Sequence, residues 1–462
     1  MVLDRARPRR WVGHRRPIRR CRQEDPVSRR AFTTRQLHDR PRRDDGAIAA
    51  ARATPIYLTA GFEFGEYDDA AAHFGRGEGY AYTRIGNPTI DAVEHTLAAL
   101  EGGSQALLLA SGQAATTVAL LSLLEAGQHI VASTHIYEGT RGLLRENLPR
   151  LGVTTDFVSE IDDLSAWEAA ILPTTRALFA ESISNASNRL VDIPALAALA
   201  HRHGIVLVID NTFATPYLVR PLELGADVVV HSASKFLAGH GSVLGGAIVD
   251  SGRIDAATVA HQYPHLLAPG RGGAPSLFER VGQDARIAYA RESVAPRFGP
   301  TPSPLNAFLI GQGIETLSLR VERQSANAQA LAQWLESRPE IASVDYVGLA
   351  SHRDHELAQR DLADGFGSVF SFTLQGDAQT ARRFVEALDV FTHMTHLGDV
   401  RSLVLHPAST SHAALTDAER TAVGVHPGTL RVSIGIEDVH DLIDDLAQAL
   451  SVASDVPVAV LA

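Results

Sequence analysis

The 462-residue chain has one cysteine, Cys21, and one lysine, Lys235, among 42 lysine and arginine residues. A single cysteine excludes an intramolecular disulfide. Its place in the N-terminal tail also excludes a cysteine nucleophile or a cysteine-based metal site from the body of the chain. A reducing, cytoplasmic setting fits that usage. No apolar run approaches the roughly 18 to 20 residues needed to cross a bilayer, so no membrane partner is expected. The lack of lysine is the more informative scarcity. Arginine stays protonated at physiological pH and serves neither as a nucleophilic amine nor as an imine partner. A lone lysine in such a chain marks a place where an amine must lose its proton and attack a carbonyl.

Composition sets the frame. Hydrophobic residues make up 45% and charged residues 21%, enough to bury a large core at a length that suits two or three domains. The net charge of −11 hides two unlike parts. Met1–Arg43 carries 15 arginines against four acidic residues, and everything after it is strongly acidic. An acidic body argues against a nucleic-acid partner. The basic tail, with scattered prolines and no amphipathic stripe, reads as a disordered extension over 1–33 rather than a transit peptide or binding arm.

From Ala106 onward, short apolar runs alternate with helix-period segments. Strands are predicted at Ala106–Ala110, His129–Ala132, Thr154–Val158, Arg176–Ala180, Ile205–Ile209, Asp227–His231 and Val243–Val249, with helices at Ala114–Leu124 and Ile193–His203. Continuous Val/Ile/Leu runs between helices indicate a mostly parallel α/β sheet covered on both faces. Ligands of such sheets sit at the carboxyl ends of the strands. The proline cluster Pro296–Pro304 is the expected boundary to a second unit, giving a large domain over 101–298 and a smaller α+β domain over 299–462. That second unit is predicted to hold one long helix over Leu305–Ser337, strands at Ser368–Leu374 and Thr429–Ser433, and a closing helix at Asp438–Leu450.

The lysine stands in His231-Ser232-Ala233-Ser234-Lys235, directly after a strand. An amine at a strand end, flanked by two hydroxyls, suits covalent anchoring of a phosphorylated aldehyde: the amine takes the aldehyde carbon, and Ser232 and Ser234 take the phosphate. Pyridoxal 5′-phosphate then demands an acidic partner for its ring nitrogen. Asp210, at the end of the strand Val206-Leu207-Val208-Ile209, meets that demand. A phosphate also wants backbone amides at a helix start. Ser111-Gly112-Gln113-Ala114 supplies them, with glycine permitting close approach. Tyr137 reads in isolation as a loop aromatic, and beside these motifs it becomes a candidate to stack on the ring.

These motifs carry a family resemblance. Tyr82-Thr83-Arg84-Ile85-Gly86-Asn87-Pro88-Thr89, Ser111-Gly112-Gln113-Ala114-Ala115, Asp210-Asn211-Thr212 and Ser232-Ala233-Ser234-Lys235 resemble, in order and spacing, the Cys/Met-metabolism pyridoxal-phosphate enzymes. The resemblance runs from about Thr34 to Leu450. It implies the type I fold of pyridoxal-phosphate transferases, similar to aspartate aminotransferase. It also implies that Lys235, Tyr137 and Asp210 are catalytic, with Lys235 moving protons along the substrate. Ser111, Gly112, Gln113, Thr212, Ser232 and Ser234 are implied as cofactor-binding. Tyr82 and Arg84, on an arm over 34–100, are implied to reach a neighbouring subunit's cofactor, which makes the enzyme at least a dimer and by family habit a tetramer. Asn185 is implied beside the cofactor and the substrate, and Arg431 with Ser402 at the substrate α-carboxylate.

Within the family, Ser402–His412 and Gly428–Asp438 are most similar to O-acetylhomoserine sulfhydrylases, which implies O-acetylhomoserine and sulfide as substrates. Cystathionine γ-synthase and methionine γ-lyase remain the alternatives. A metal site at His393, His396, His406 and His412 is not expected, because no carboxylate accompanies them at ligand spacing.

Overall fold

The computed structural model describes residues 51–454 apart from 77, 78, 186, 414 and 423. The 1–33 extension, Cys21 and the first part of the 34–100 arm lie outside the described residues. Seven strands form the first sheet: β1 (Gln105–Leu109), β2 (His129–Ser133), β3 (Thr154–Val158), β4 (Thr175–Glu181), β5 (Val206–Asp210), β6 (Val228–His231) and β7 (Gly246–Asp250). Their order is β1-β7-β6-β5-β4-β2-β3. The run from β6 to β3 is parallel, and β7 lies antiparallel between β1 and β6.

Side chains alternate across this sheet as a two-residue period requires. Leu107 and Leu109 join Ile130, Ala132, Phe179 and Val208 on one face, while Leu108 joins Val131, Leu178, Leu207 and Ile209 on the other. Both faces are buried, which is why the sequence shows unbroken apolar runs and not alternation. Removing one of these side chains, as in Phe179→Ala, opens a cavity costing about 3–5 kcal/mol.

Two helices frame the site end of the sheet. In α1 (Pro88–Glu101), Asn87 caps the start by accepting from Thr89 N, Pro88 occupies the first turn, and Gly102 ends the helix at φ 71°. Its last residue, Glu101, is fully buried and accepts from His231 Nε2 at 2.6 Å and Asn211 Nδ2 at 3.0 Å. In α2 (Gly112–Leu121), Ser111 is the cap: its hydroxyl accepts from Ala114 N.

The second sheet holds β8 (Ile341–Asp345), β9 (Val369–Leu374), β10 (Thr392–His393), β11 (Leu403–Leu405) and β12 (Thr429–Ser433), in the order β10-β11-β12-β9-β8. Phe370, Phe372, Phe384, Leu430, Val432 and Leu446 form its core. A closing helix, Val439–Ser454, packs on that core.

The single helix expected over 305–337 is two helices, Pro304–Glu315 and Leu317–Glu336, broken at Thr316. Gly311 and Gly313 weaken the last turn of the first. Gly313 also packs against the turn after Lys235, where an added Cβ would stand 2.8 Å from the Ala238 carbonyl carbon. Arg320 then holds the break, donating to Gly313 O at 2.7 Å and Thr316 Oγ1 at 3.1 Å.

Candidate active site

Three parallel strands end on one edge with Glu181, Asp210 and His231, and Glu181 and Asp210 are register partners. The chain leaves β6 through Ser232–Gly245 and returns as antiparallel β7, so the lysine lies on the one connection that reverses direction at this edge. Ser234 braces that connection: its hydroxyl donates to Gly245 O at 3.1 Å and accepts from Gly245 N at 2.9 Å. The sequence-predicted strand at Val243 therefore begins later, at Gly246.

Hydrogen bonds and contacts link the predicted residues into a closed circuit. Lys235 N donates to Ser232 O at 3.1 Å, and Ser232 N donates to Thr212 Oγ1 at 2.8 Å. The amide and hydroxyl of Thr212 both donate to Asp210 Oδ1, at 2.9 and 2.5 Å. Across from Asp210, Glu181 accepts from Tyr137 N at 2.6 Å through Oε1 and from Asn185 N at 2.9 Å through Oε2. Asn185 Oδ1 accepts from Arg431 Nη1 at 3.0 Å. The other terminal nitrogen of Arg431 donates to the carbonyls of Thr395 and His396, at 3.3 and 3.5 Å. His396 Nδ1 lies 3.1 Å from Lys235 Nζ and closes the ring.

The helix start completes the site. An added Cβ at Gly112 would stand 2.6 Å from Ser232 Cβ, so only glycine lets α2 begin this close to the lysine turn. Ser111 is spent as the cap, which leaves the Gly112 and Gln113 amides as the helix's free donors. Gln113 Nε2 donates to Gly139 O at 3.2 Å and ties this start to the Tyr137 loop. The Tyr137 ring is half exposed and lies over Gly139, where a Cβ would meet ring carbon Cζ at 3.1 Å.

Burial governs the electrostatics. It pushes the Lys235 amine down to about 8, with the charge of Arg431 adding to the effect. The Arg431 guanidinium is lowered to about 10 by the same desolvation. Neither cation meets a carboxylate among the described residues, and Arg431 Nε is buried without a partner. On the strand edge, burial and then the Asp210 charge push Glu181 up to about 8, and burial raises Asp210 as well. Two neighbouring desolvated carboxyls do not both ionise cheaply, so one proton stays with the pair.

The chemistry of this arrangement fits a phosphorylated pyridine aldehyde: an amine lowered by burial would serve the aldehyde function, the buried acid at a strand end would serve a ring nitrogen, and the free helix amides beside Ser232 would serve a phosphate. The unpartnered Nε–H of Arg431 awaits a second anion, as a carboxylate would supply.

Ser402 is fully buried, donates to Glu437 Oε2 at 3.0 Å and accepts from Gly435 N at 2.9 Å. Its strand neighbour Leu403 pairs with Ser433, so Arg431 sits opposite Leu405. The Ser234 hydroxyl is paired with Gly245 in this structure. The Ser111 hydroxyl caps the helix, accepting from Ala114 N at 3.1 Å. Tyr82 and Arg84 stand away from the circuit: Arg84 Nη1 donates to Pro296 O at 2.6 Å, and its guanidinium carbon lies 5.5 Å from the centre of the half-exposed Tyr82 ring. Sequence reading missed Glu181, Thr395 and His396. Glu181 alone left a signal, as the polar end of an otherwise apolar strand.

Residues 33–451 match the family described as Cys/Met metabolism PLP-dependent enzyme. The homocysteine synthase of Schizosaccharomyces pombe is 42% identical over 93% of this chain and 100% of its own. The O-acetyl-L-homoserine sulfhydrylase of Leptospira meyeri is 42% identical over 87% and 92%. A crystal structure from Campylobacter jejuni, given the name O-acetylhomoserine (thiol)-lyase and containing N′-pyridoxyl-lysine-5′-monophosphate, superposes with a TM-score of 0.82 at 36% identity, covering 86% of this chain and 95% of that one. This chain therefore belongs to the Cys/Met metabolism PLP-dependent enzymes.

Proposed function

We propose that this chain exchanges the γ-acetoxy group of O-acetyl-L-homoserine for sulfide, giving L-homocysteine and acetate. The observation that carries this reading is the circuit joining a depressed amine, Lys235, to an unneutralised guanidinium, Arg431, with one residue, His396, between them. An amino-acid substrate presents its α-carboxylate to Arg431 and its reacting carbons to Lys235.

Pyridoxal phosphate, when bound, supplies an electron sink for charge left by a departing proton. The chain's own residues do the rest. Lys235, near neutrality, takes a proton from the substrate α-carbon at Nζ and returns one further along the substrate. Arg431 fixes the carboxylate through its free Nε–H, and Asn185 holds that guanidinium in place. Asp210 faces the ring nitrogen, and Tyr137 covers the ring. The Gly112 and Gln113 amides with Ser232 hold the phosphate. Loss of acetate from the γ-carbon and addition of sulfide at the same carbon balance the reaction.

The names carried by the relatives support the acetyl ester and sulfide as substrates. Assembly as a homotetramer of dimers that share active sites through Tyr82 and Arg84, and residence in the cytoplasm, belong to the same proposal. So does the division into an arm, a cofactor-binding domain over 101–298 and a C-terminal domain over 299–462. Among the described residues no helix is long and apolar enough to cross a membrane.

The test is direct. Purified, cofactor-loaded enzyme with O-acetylhomoserine and sulfide should release homocysteine and acetate in equal amounts. Product at only the spontaneous rate refutes the reading. Cystathionine formed faster with cysteine than homocysteine with sulfide, or a keto acid released from methionine alone, moves the chain to the synthase or the lyase of the family.

A further inference from the structure

The amine of Lys235 has one hydrogen-bond partner among the described residues, and it comes from 161 positions along the chain. His396 Nδ1 stands 3.1 Å from Nζ. An ammonium has only donors, so whenever Lys235 is charged the imidazole must accept, with its own proton on Nε2. That Nε2 is buried and has no partner. An orphaned buried donor is a cost that packing alone does not explain.

The segment carrying His396 is fixed. Arg431 donates to the carbonyls of Thr395 and His396, Leu397 is buried, and Gly398 N donates to Ser433 Oγ at 2.8 Å. Gly398, at φ 73°, lies against the lysine turn, where a Cβ would stand 2.7 Å from Phe236 N. Val400 N donates to Gly239 O at 3.0 Å. The imidazole therefore meets Nζ because two backbones are clamped together.

We propose that His396 is a positioning residue for proton transfer, accepting a hydrogen bond from the free Lys235 side chain and holding it beside the Arg431 carboxylate clamp. This inference rests on the reading of Lys235 as the proton carrier. The charged groups around the ring are Lys235, Arg431 and Arg401, which disfavour its protonation, and Asp399, which favours it. Burial outweighs them all and pushes the imidazole down to about 4, so it remains a neutral acceptor through the working pH range.

Because Lys235 is the only lysine, biosynthetic labelling with [ε-13C]lysine gives one side-chain resonance from the whole chain. In full-length protein stripped of cofactor with hydroxylamine, that resonance should titrate with a midpoint of about 8. In His396→Leu, which keeps bulk and removes the acceptor, the midpoint should fall by about one pH unit, because the ammonium loses a stabilising partner. His396→Asn, whose Oδ1 replaces Nδ1, should restore at least half of that shift. If the leucine variant does not fold, His396→Ala is read in the same way. A midpoint that stays put or rises without the acceptor, or an asparagine variant no different from leucine, overturns the proposal. In loaded enzyme, His396→Leu should lower kcat about tenfold and leave KM for the ester within about twofold. The resonance reads the pair whatever the reaction: the expected shift in a chain that makes no homocysteine would sink the proposed reaction and leave the pairing standing.

Discussion

At the residue scale, Glu181 is the least accommodated group in the site. Its carboxyl is pushed from an ordinary 4.5 up to about 8 by burial and by Asp210. Between those two values the folded chain holds a proton that the unfolded chain has released. Stability therefore falls as pH rises through this window and levels off above it. Glu181→Gln removes the titration. Chemical unfolding across about pH 5 to about pH 8 should show the parent losing about 2–4 kcal/mol more than the variant. Equal slopes would mean that Asp210 keeps the shared proton. Arg431 has a different dependence, on shape. Lysine retains the charge and loses the flat pair of donors, so Arg431→Lys should raise KM for O-acetylhomoserine about 100-fold and change kcat about tenfold or less, as read by steady-state kinetics.

What the sequence revealed of these residues follows from chemistry. Lys235 and Asp210 stood out because few residue types do their work, Asp210 ending an apolar strand and Lys235 following another by four residues. Arg431 came only through the family resemblance. His396 stood out only as one of four histidines weighed and set aside as a metal site, and its contact with the lysine was not legible because it depends on a loop from the other sheet that touches the lysine turn. The partners of Ser402, Gly435 and Glu437, could not be read from its neighbours in sequence, because they lie more than 30 positions further along the chain.

At the scale of elements, the start of α2 is the tightest joint. Gly112 faces Ser232 at a distance no Cβ tolerates, so Gly112→Ala must push the helix away from the lysine turn. Overpacking of this kind costs about 1–3 kcal/mol. It should also weaken cofactor retention at least about tenfold, measured by equilibrium dialysis of pyridoxal phosphate, because the free amides move with the helix. Elements buried on both faces were readable from the sequence to within a few residues. The three-residue β11 and the half-exposed β8 were not, since neither carries a sustained pattern. The break at Thr316 escaped notice because the apolar period continues across it, and only Arg320, folded back onto Gly313, reveals the stop. Strand order was unreadable, because no local signal says that β7 inserts beside β1.

At the scale of the whole molecule, the position of Tyr82 and Arg84 outside the circuit matters. If they serve a neighbouring subunit, Lys235→Ala and Arg84→Ala chains damage different parts of a shared site. Each variant alone should be nearly inactive. Mixed and reassembled in equal amounts, half the dimers pair one of each, and one of their two sites is intact, so about a quarter of parental activity should return. No recovery after confirmed subunit exchange would place both residues within a single chain's site.

The circuit also crosses between separately cored sheets. The amine hangs from the first sheet, and the imidazole and guanidinium hang from the second. A ligand gripped by both acts as a strut between two bodies, so its affinity is drawn partly from keeping them apposed. If Arg431 and Lys235 hold the substrate as proposed, letting product go requires the strut to be unloaded at one of those two fixings, where turnover becomes a mechanical event.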